Sequence, residues 1–83
     1  MSNFSDFIDL TYSIRDKKLL GDFLIGVTTA NERQTLPQRV EIIKRLIAGE
    51  PQAKIASDLG VGIGTVTRGS KELAEGRFKA LRK

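Results

Sequence analysis

QAKIASDLGVGIGTVTR, residues Gln52 to Arg68, has the spacing of two short helices joined by a glycine turn. Ala56 lies four residues after Gln52, where a small side chain lets the second helix cross over the first. Gly60 follows four residues later, at the point where such a turn needs positive φ at little steric cost. Val66 comes six residues after Gly60, on the buried side of the second helix, and Ile55, Leu59 and Val61 supply the other apolar contacts. That leaves Gly62, Ile63, Gly64, Thr65, Thr67, Arg68 and Lys71 on the outer or N-terminal part of the second helix, with Gln52 and Lys54 on the first. This is the pattern of a helix-turn-helix, whose second helix enters the major groove of duplex DNA. The plain alternative is an ordinary packed helix pair. Gly60-x-Gly62-x-Gly64 also suggests a dinucleotide loop, but that reading needs a preceding strand, and the preceding segment has helical spacing.

Working outward, helical spacing recurs and no stretch alternates like a strand array. Pro51 can open the helix that runs to Leu59, burying Ile55, Ala56 and Leu59, and Ile63–Leu73 reads as the next helix. Upstream, Thr29 and Glu32 form a capping box for a third helix. Its apolar positions are Leu36, Val40, Ile43 and Ile47, with Gly49 as the stop. Pro37 either kinks that helix or ends a short first piece near Leu36. Leu19, Leu20, Phe23, Leu24 and Val27 form the face of a second helix, after a polar break at Arg15–Lys18. Phe4, Phe7, Ile8, Thr11 and Ile14 form that of a first, with Ser2 or Asn3 as its N-cap. Gly76 interrupts the last helix, and Arg77–Lys83 is a basic stub carrying Phe78 and Leu81. The reading is all-α, with six short helices in one domain over residues 1–83. Residues 1–50 are its dimerisation helices, 51–73 the helix-turn-helix and 74–83 the stub.

The composition narrows the function. With neither Cys nor His among 83 residues, disulfides, Cys- or His-based metal sites and imidazole-dependent catalysis are excluded. No paired-carboxylate constellation suggests an enzyme of another kind. No apolar run approaches the ~20 residues of a membrane span, and Asp6 and Asp9 stand where a signal peptide would be basic and then apolar, so a cytoplasmic protein is expected. The net charge of +4 resides entirely in residues 51–83; residues 1–50 carry seven basic and seven acidic groups. A basic end on a neutral body suits a polyanion, through phosphate neutralisation and counterion release, or is simply a solvated tail. So short a chain has a thin core, and its apolar N-terminal half (Phe4, Phe7, Ile8, Leu10, Ile14, Leu19, Leu20, Phe23, Leu24) points to a homodimer.

Arg33, Arg39, the Leu46–Glu50 turn and above all the run from Leu59 to Ser70, LGVGIGTVTRGS, resemble the bacterial Trp repressor superfamily over about Leu24–Leu73. The resemblance implies an intertwined all-helical homodimer. Its two recognition helices would stand one DNA turn apart, ~34–36 Å, on a palindromic operator; the Trp repressor is itself one of the helix-turn-helix dimers from which that geometry is known. It implies further that Arg39 and Arg68 sandwich the indole of L-tryptophan and hold its carboxylate, as corepressor, with Thr29, Gly69 and Glu72 also at the ligand site. Guanidinium planes stack on aromatic faces and fork onto carboxylates, so the chemistry is sound. Bound there, the ligand would shift the heads toward the DNA-competent spacing, which requires differential affinity for that state. The chain departs from the family at Gly26 and Thr28, where leucines line the pocket, and at Glu72, where a serine faces the ligand amine. The linker holding Pro51 is one residue shorter, both termini are shorter, and the last helix is nearly absent.

Each of these residues has a simpler reading beside it. Arg39 is either a ligand contact or a helix arginine that is solvated or paired with Glu32, Glu50 or a neighbouring chain. Arg68 and Lys71 can meet phosphate, as can Lys54, and Arg68 equally a ligand. Thr65 and Thr67 either touch DNA or bond their own preceding turn. Ile63 and Gly64 suit a thymine methyl and close backbone approach. Tyr12 and the phenylalanines read as core residues rather than as nucleobase stackers. Two functions remain: a DNA-binding transcriptional regulator, with or without a small aromatic amino-acid ligand, and a protein-interaction domain with a basic surface.

Overall fold

The computed structural model describes residues 2–82. It contains five α-helices: α1 (Phe4–Ser13), α2 (Lys17–Val27), α3 (Ala30–Ile47), α4 (Gln52–Leu59) and α5 (Ile63–Ala74), followed by a 3₁₀ turn over Lys79–Leu81. No strand occurs among the described residues, and no helix there is long and apolar enough to cross a membrane. The sixth expected helix is only this 3₁₀ turn. The chain divides into two compact units between Arg33 and Gln34.

In the first unit the helix ends are set by short polar side chains. Asn3 caps α1: its Oδ1 accepts from Asp6 N at 2.9 Å, and Asp6 Oδ2 accepts from Asn3 N at 3.1 Å. The polar break holds a cap of its own, Asp16, whose Oδ1 accepts from Lys18 N and Leu19 N. Thr29 and Glu32 make the expected box, with Thr29 N donating to Glu32 Oε1 and Glu32 N to Thr29 Oγ1. The Thr29 backbone N–H first, then its hydroxyl, hold the Glu32 carboxyl below its usual range. Arg33 closes the end of α2, donating from Nη1 to Ile25 O and Thr28 O. Phe7 stacks on Phe4 and on Phe23, ring centroids 6.1 and 5.9 Å apart. Yet α1 and α2 contain no buried residue. Phe4, Ile8, Leu10, Leu19, Ile25 and Val27 are all more than half exposed.

The second unit holds the core. Ile42, Ile55, Ala56 and Val66 are buried together, with Leu46, Leu59 and Val61 packed against them. Two expectations are corrected here. Of the α3 face expected from Leu36, Val40, Ile43 and Ile47, only Ile43 is buried; Leu36, Val40 and Ile47 are exposed and Ile42 takes their place. The buried seam lies where Ile42 and Leu46, one turn apart, meet α4 and α5. The second is the short first piece ending near Leu36, which does not form. α3 runs unbroken through Pro37, although its ring nitrogen cannot donate to Arg33 O one turn back. Leu59 is half-buried rather than buried.

Ion pairs tie the end of α3 to α4. Arg45 donates to Glu50 at 2.9 and 2.5 Å and to Asp58 at 2.5 Å, and Lys54 donates to Asp58 at 2.8 Å. Glu50 is held below the usual carboxylate range chiefly by Arg45, and Asp58 by Lys54 and then Arg45. Arg45 is correspondingly pushed up. Between α4 and α5, Gly60 adopts φ 66°, ψ 33°, as the turn reading required. Val61 N then reaches back to Ala56 O at 3.1 Å, closing the first helix.

Candidate functional site

Burying Val66 turns one side of α5 to the core and leaves the rest of the helix outward. Gly62, Ile63, Gly64, Thr65, Thr67, Arg68 and Lys71 are all exposed, Ile63 at 52%. No side-chain hydrogen bond caps the N-terminus of α5; Thr65 N donates to Gly62 O at 3.1 Å, which leaves the N–H groups of Ile63 and Gly64 for an outside acceptor. Two of the expected DNA-contact residues are already engaged within the chain. Lys54 is committed to Asp58, with Glu50 3.8 Å away. The Thr67 hydroxyl lies 3.0 Å from both Ile63 O and Gln52 Oε1, and donates to one of them. Gln52 thus links the start of α4 to the outer face of α5, a positioning contact that residue spacing did not reveal.

A cleft of about 640 Å³ opens on the same unit. Leu36, Val40, Ile42 and Ile43 of α3 and Phe78 give it apolar walls; Arg39, Thr65, Arg68, Gly69, Glu72 and Arg77 give it polar ones. The structure therefore brings together Arg39, Arg68, Gly69 and Glu72; the Thr29 hydroxyl accepts from Glu32 N at the α3 cap. Neither Arg39 nor Arg68 forms an ion pair among the described residues. Gly69 is there for space: a Cβ on it would stand 3.0 Å from Ile43 Cδ1. Leu36 and Val40, exposed on α3, are wall rather than core.

Arg77 and Phe78 were not foreseen at this site. Past α5 the chain turns at Gly76 (φ 92°), and Phe78 takes φ 66°, a left-handed conformation that L-aromatic residues rarely adopt. Arg82 Nη2 donates to Leu73 O at 2.5 Å, pinning the segment back on α5. Arg77 Nε lies 3.5 Å from Glu72 Oε2. The signal in the sequence was Gly76 followed by one aromatic residue within a basic stub. In volume, apolar lining and a few convergent charged groups, the cleft has the character of a small-molecule site.

The family model for the Trp repressor protein matches residues 2–80. A Trp operon repressor homolog of Vibrio vulnificus (strain YJ016) is 38% identical over 73 residues, 87% of this chain and 72% of the relative. One from Vibrio campbellii is 39% identical over 72 residues, 86% of this chain and 72% of its own. One from Aliivibrio fischeri (strain MJ11) reaches 47% over 51 residues, 60% of this chain and 47% of its own. An all-helical chain with a glycine-turned helix pair, matched over nearly its whole length, belongs to the Trp repressor family.

Proposed function

We propose that this chain is a transcriptional repressor, not an enzyme, that binds duplex DNA as a homodimer. α5 is its recognition helix, and a small aromatic amino acid such as tryptophan is its corepressor. The observation that carries the reading is α5 itself, anchored by Val66 at 0% exposure while Ile63, Thr65, Arg68 and Lys71 face outward. Arg68 and Lys71 suit phosphates, and Ile63, Gly64, Thr65 and Thr67 suit base edges or close backbone approach. Gln52 acts through Thr67, and the Gly62 end of α5 offers backbone N–H groups to a phosphate. The dimer is supported by the first unit, whose α1 and α2 leave apolar faces uncovered in a single chain. A second copy covering them would remove from water the side chains that a lone chain leaves exposed. Residues 1–50 then serve dimerisation and 51–73 DNA binding, and the named relatives, each a Trp operon repressor homolog, support regulation as the role.

Titration against duplex DNA over a range of salt tests this. A specific regulator prefers one sequence by 10³-fold or more (roughly) over random duplex, and its affinity falls steeply with salt. Thr65→Ala with Thr67→Ala should erase that discrimination while leaving salt-dependent binding. Weak binding without sequence preference, with tryptophan present, would refute the regulator and favour the protein-interaction reading of the basic surface.

A further inference from the structure

Past α5 the chain is held to the rest of the fold by little. Among the described residues, the backbone hydrogen bonds that residues 78–82 donate run from Leu81 N to Phe78 O and from Arg82 N to Lys79 O, so they close the 3₁₀ turn on itself. Two exposed side-chain contacts fix that turn to α5: Arg82 Nη2 on Leu73 O at 2.5 Å, and the Arg77 Nε approach to Glu72 at 3.5 Å. Leu73 O also accepts from Gly76 N, so it keeps a donor when Arg82 leaves. Phe78 is the apolar residue that this segment contributes to the cleft, and it is half-buried there. It reaches that place with φ 66°, ψ 32°, a conformation that a Cβ disfavours by about five- to thirtyfold. Gly76 before it takes φ 92°, and a Cβ there would meet no atom within 4 Å, so backbone conformation alone decides what residue fits.

We propose that Gly76–Arg82 is a strap that gates the cleft, swinging about Gly76, latched by Arg82 on Leu73 O and biased toward opening by the strain at Phe78. Closed, it sets the Phe78 ring as one wall of the cleft. Open, it removes that wall and returns Phe78 to an ordinary backbone conformation, which offsets part of the lost packing. A segment held by so few contacts opens on its own, and a ligand enters through the open form. An apolar body in the cleft then holds the strap shut, because the ring packs against it. The purpose of the gate rests on the cleft being a ligand site; the motion itself is measured with no ligand.

The chain has neither cysteine nor tryptophan, so an introduced thiol or indole is a unique reporter. Ile43 lines the cleft at 3% exposure. In the full chain carrying Ile43→Cys, the rate of reaction with the aromatic disulfide DTNB should vary little with urea below the unfolding transition, because opening the strap exposes little surface. Adding Gly76→Ala, which penalises φ 92°, should speed the reaction about five- to thirtyfold. Adding Arg82→Ala, which removes the latch, should speed it about two- to tenfold. Phe78→Trp gives a second reading if Ile43→Cys does not fold. Its emission should shift to the red and become more accessible to acrylamide when either Gly76→Ala or Arg82→Ala is added. The proposal is overturned if the thiol reacts only with the full urea dependence of global unfolding, or if the hinge or the latch variant leaves the reporter unchanged. Failure to bind tryptophan would refute the ligand reading and leave these measurements intact.

Discussion

Gly69 faces α3 from α5, and a double-mutant cycle with Ile43 shows what the contact is worth. A Cβ built on Gly69 meets Ile43 Cδ1 at 3.0 Å, Ile42 Cγ2 at 3.5 Å and Leu46 Cδ1 at 3.7 Å. The last two are ordinary van der Waals distances. Only the first is tighter than ordinary contact, so Ile43 Cδ1 must give by a few tenths of an ångström. Ile43 is 3% exposed, so its retreat disturbs packed neighbours. Overpacking of this kind costs ~1–3 kcal/mol. Against it stands a gain of ~1 kcal/mol from replacing a helical glycine by alanine. Gly69→Ala alone should therefore destabilise by about 0–2 kcal/mol. Ile43→Val removes the offending δ-methyl and alone should cost about 0.5–1.5 kcal/mol. In the double variant the alanine methyl occupies the space that Cδ1 vacates. The pair should then be less destabilised than the sum of the singles by about 1–2 kcal/mol. Urea unfolding by circular dichroism at one fixed protein concentration measures all four corners, the fixed concentration removing any contribution from subunit association. Additivity within ~0.5 kcal/mol would refute the close approach and with it the steric reason for a glycine here.

Three other outcomes follow from single features. Gly60→Ala meets no atom within 4 Å but must hold φ 66°, so it should cost about 1–2 kcal/mol in urea unfolding, purely through backbone conformation. Pro37→Ala restores a donor for Arg33 O and should raise the melting temperature, since proline inside a helix costs up to ~3 kcal/mol. Glu32, Glu50 and Asp58 have folded pKa values below their unfolded ones, so the stability they confer is present above the ordinary carboxylate range and is lost as pH falls through and below it. Melting temperatures measured from pH 6 down to about 2.5 should fall, and less steeply in Arg45→Ala, which removes the main cause of the Glu50 shift and one cause of the Asp58 shift. An identical slope in that variant would detach acid unfolding from this cluster.

What could be read in the residues depended on how local each determinant is. The Asn3 and Thr29 boxes and the left-handed Gly60 are set by neighbours within a few positions, and such signals are visible in a linear string. Val66 was also legible, because helix geometry carries a fixed offset from the turn glycine to the buried face. The α3 face misled because one apolar stripe serves two purposes. Ile42 and Leu46 pack on the core, Leu36, Val40 and Ile43 line the cleft, and Ile42 does both; hydropathy does not distinguish a wall from an interior. Pro37 misled because local propensity argues for a break, while packing of Ile42 and Ile43 downstream holds the helix together. Arg77 and Phe78 were hidden for a different reason. They reach Glu72 and the cleft only because Gly76 and Phe78 both take positive φ and Arg82 returns to Leu73 O. A chain end whose direction depends on three such events has no periodicity to betray it. Hydropathy and spacing are therefore weakest past α5, where the backbone conformation of two residues decides which side chains reach the cleft.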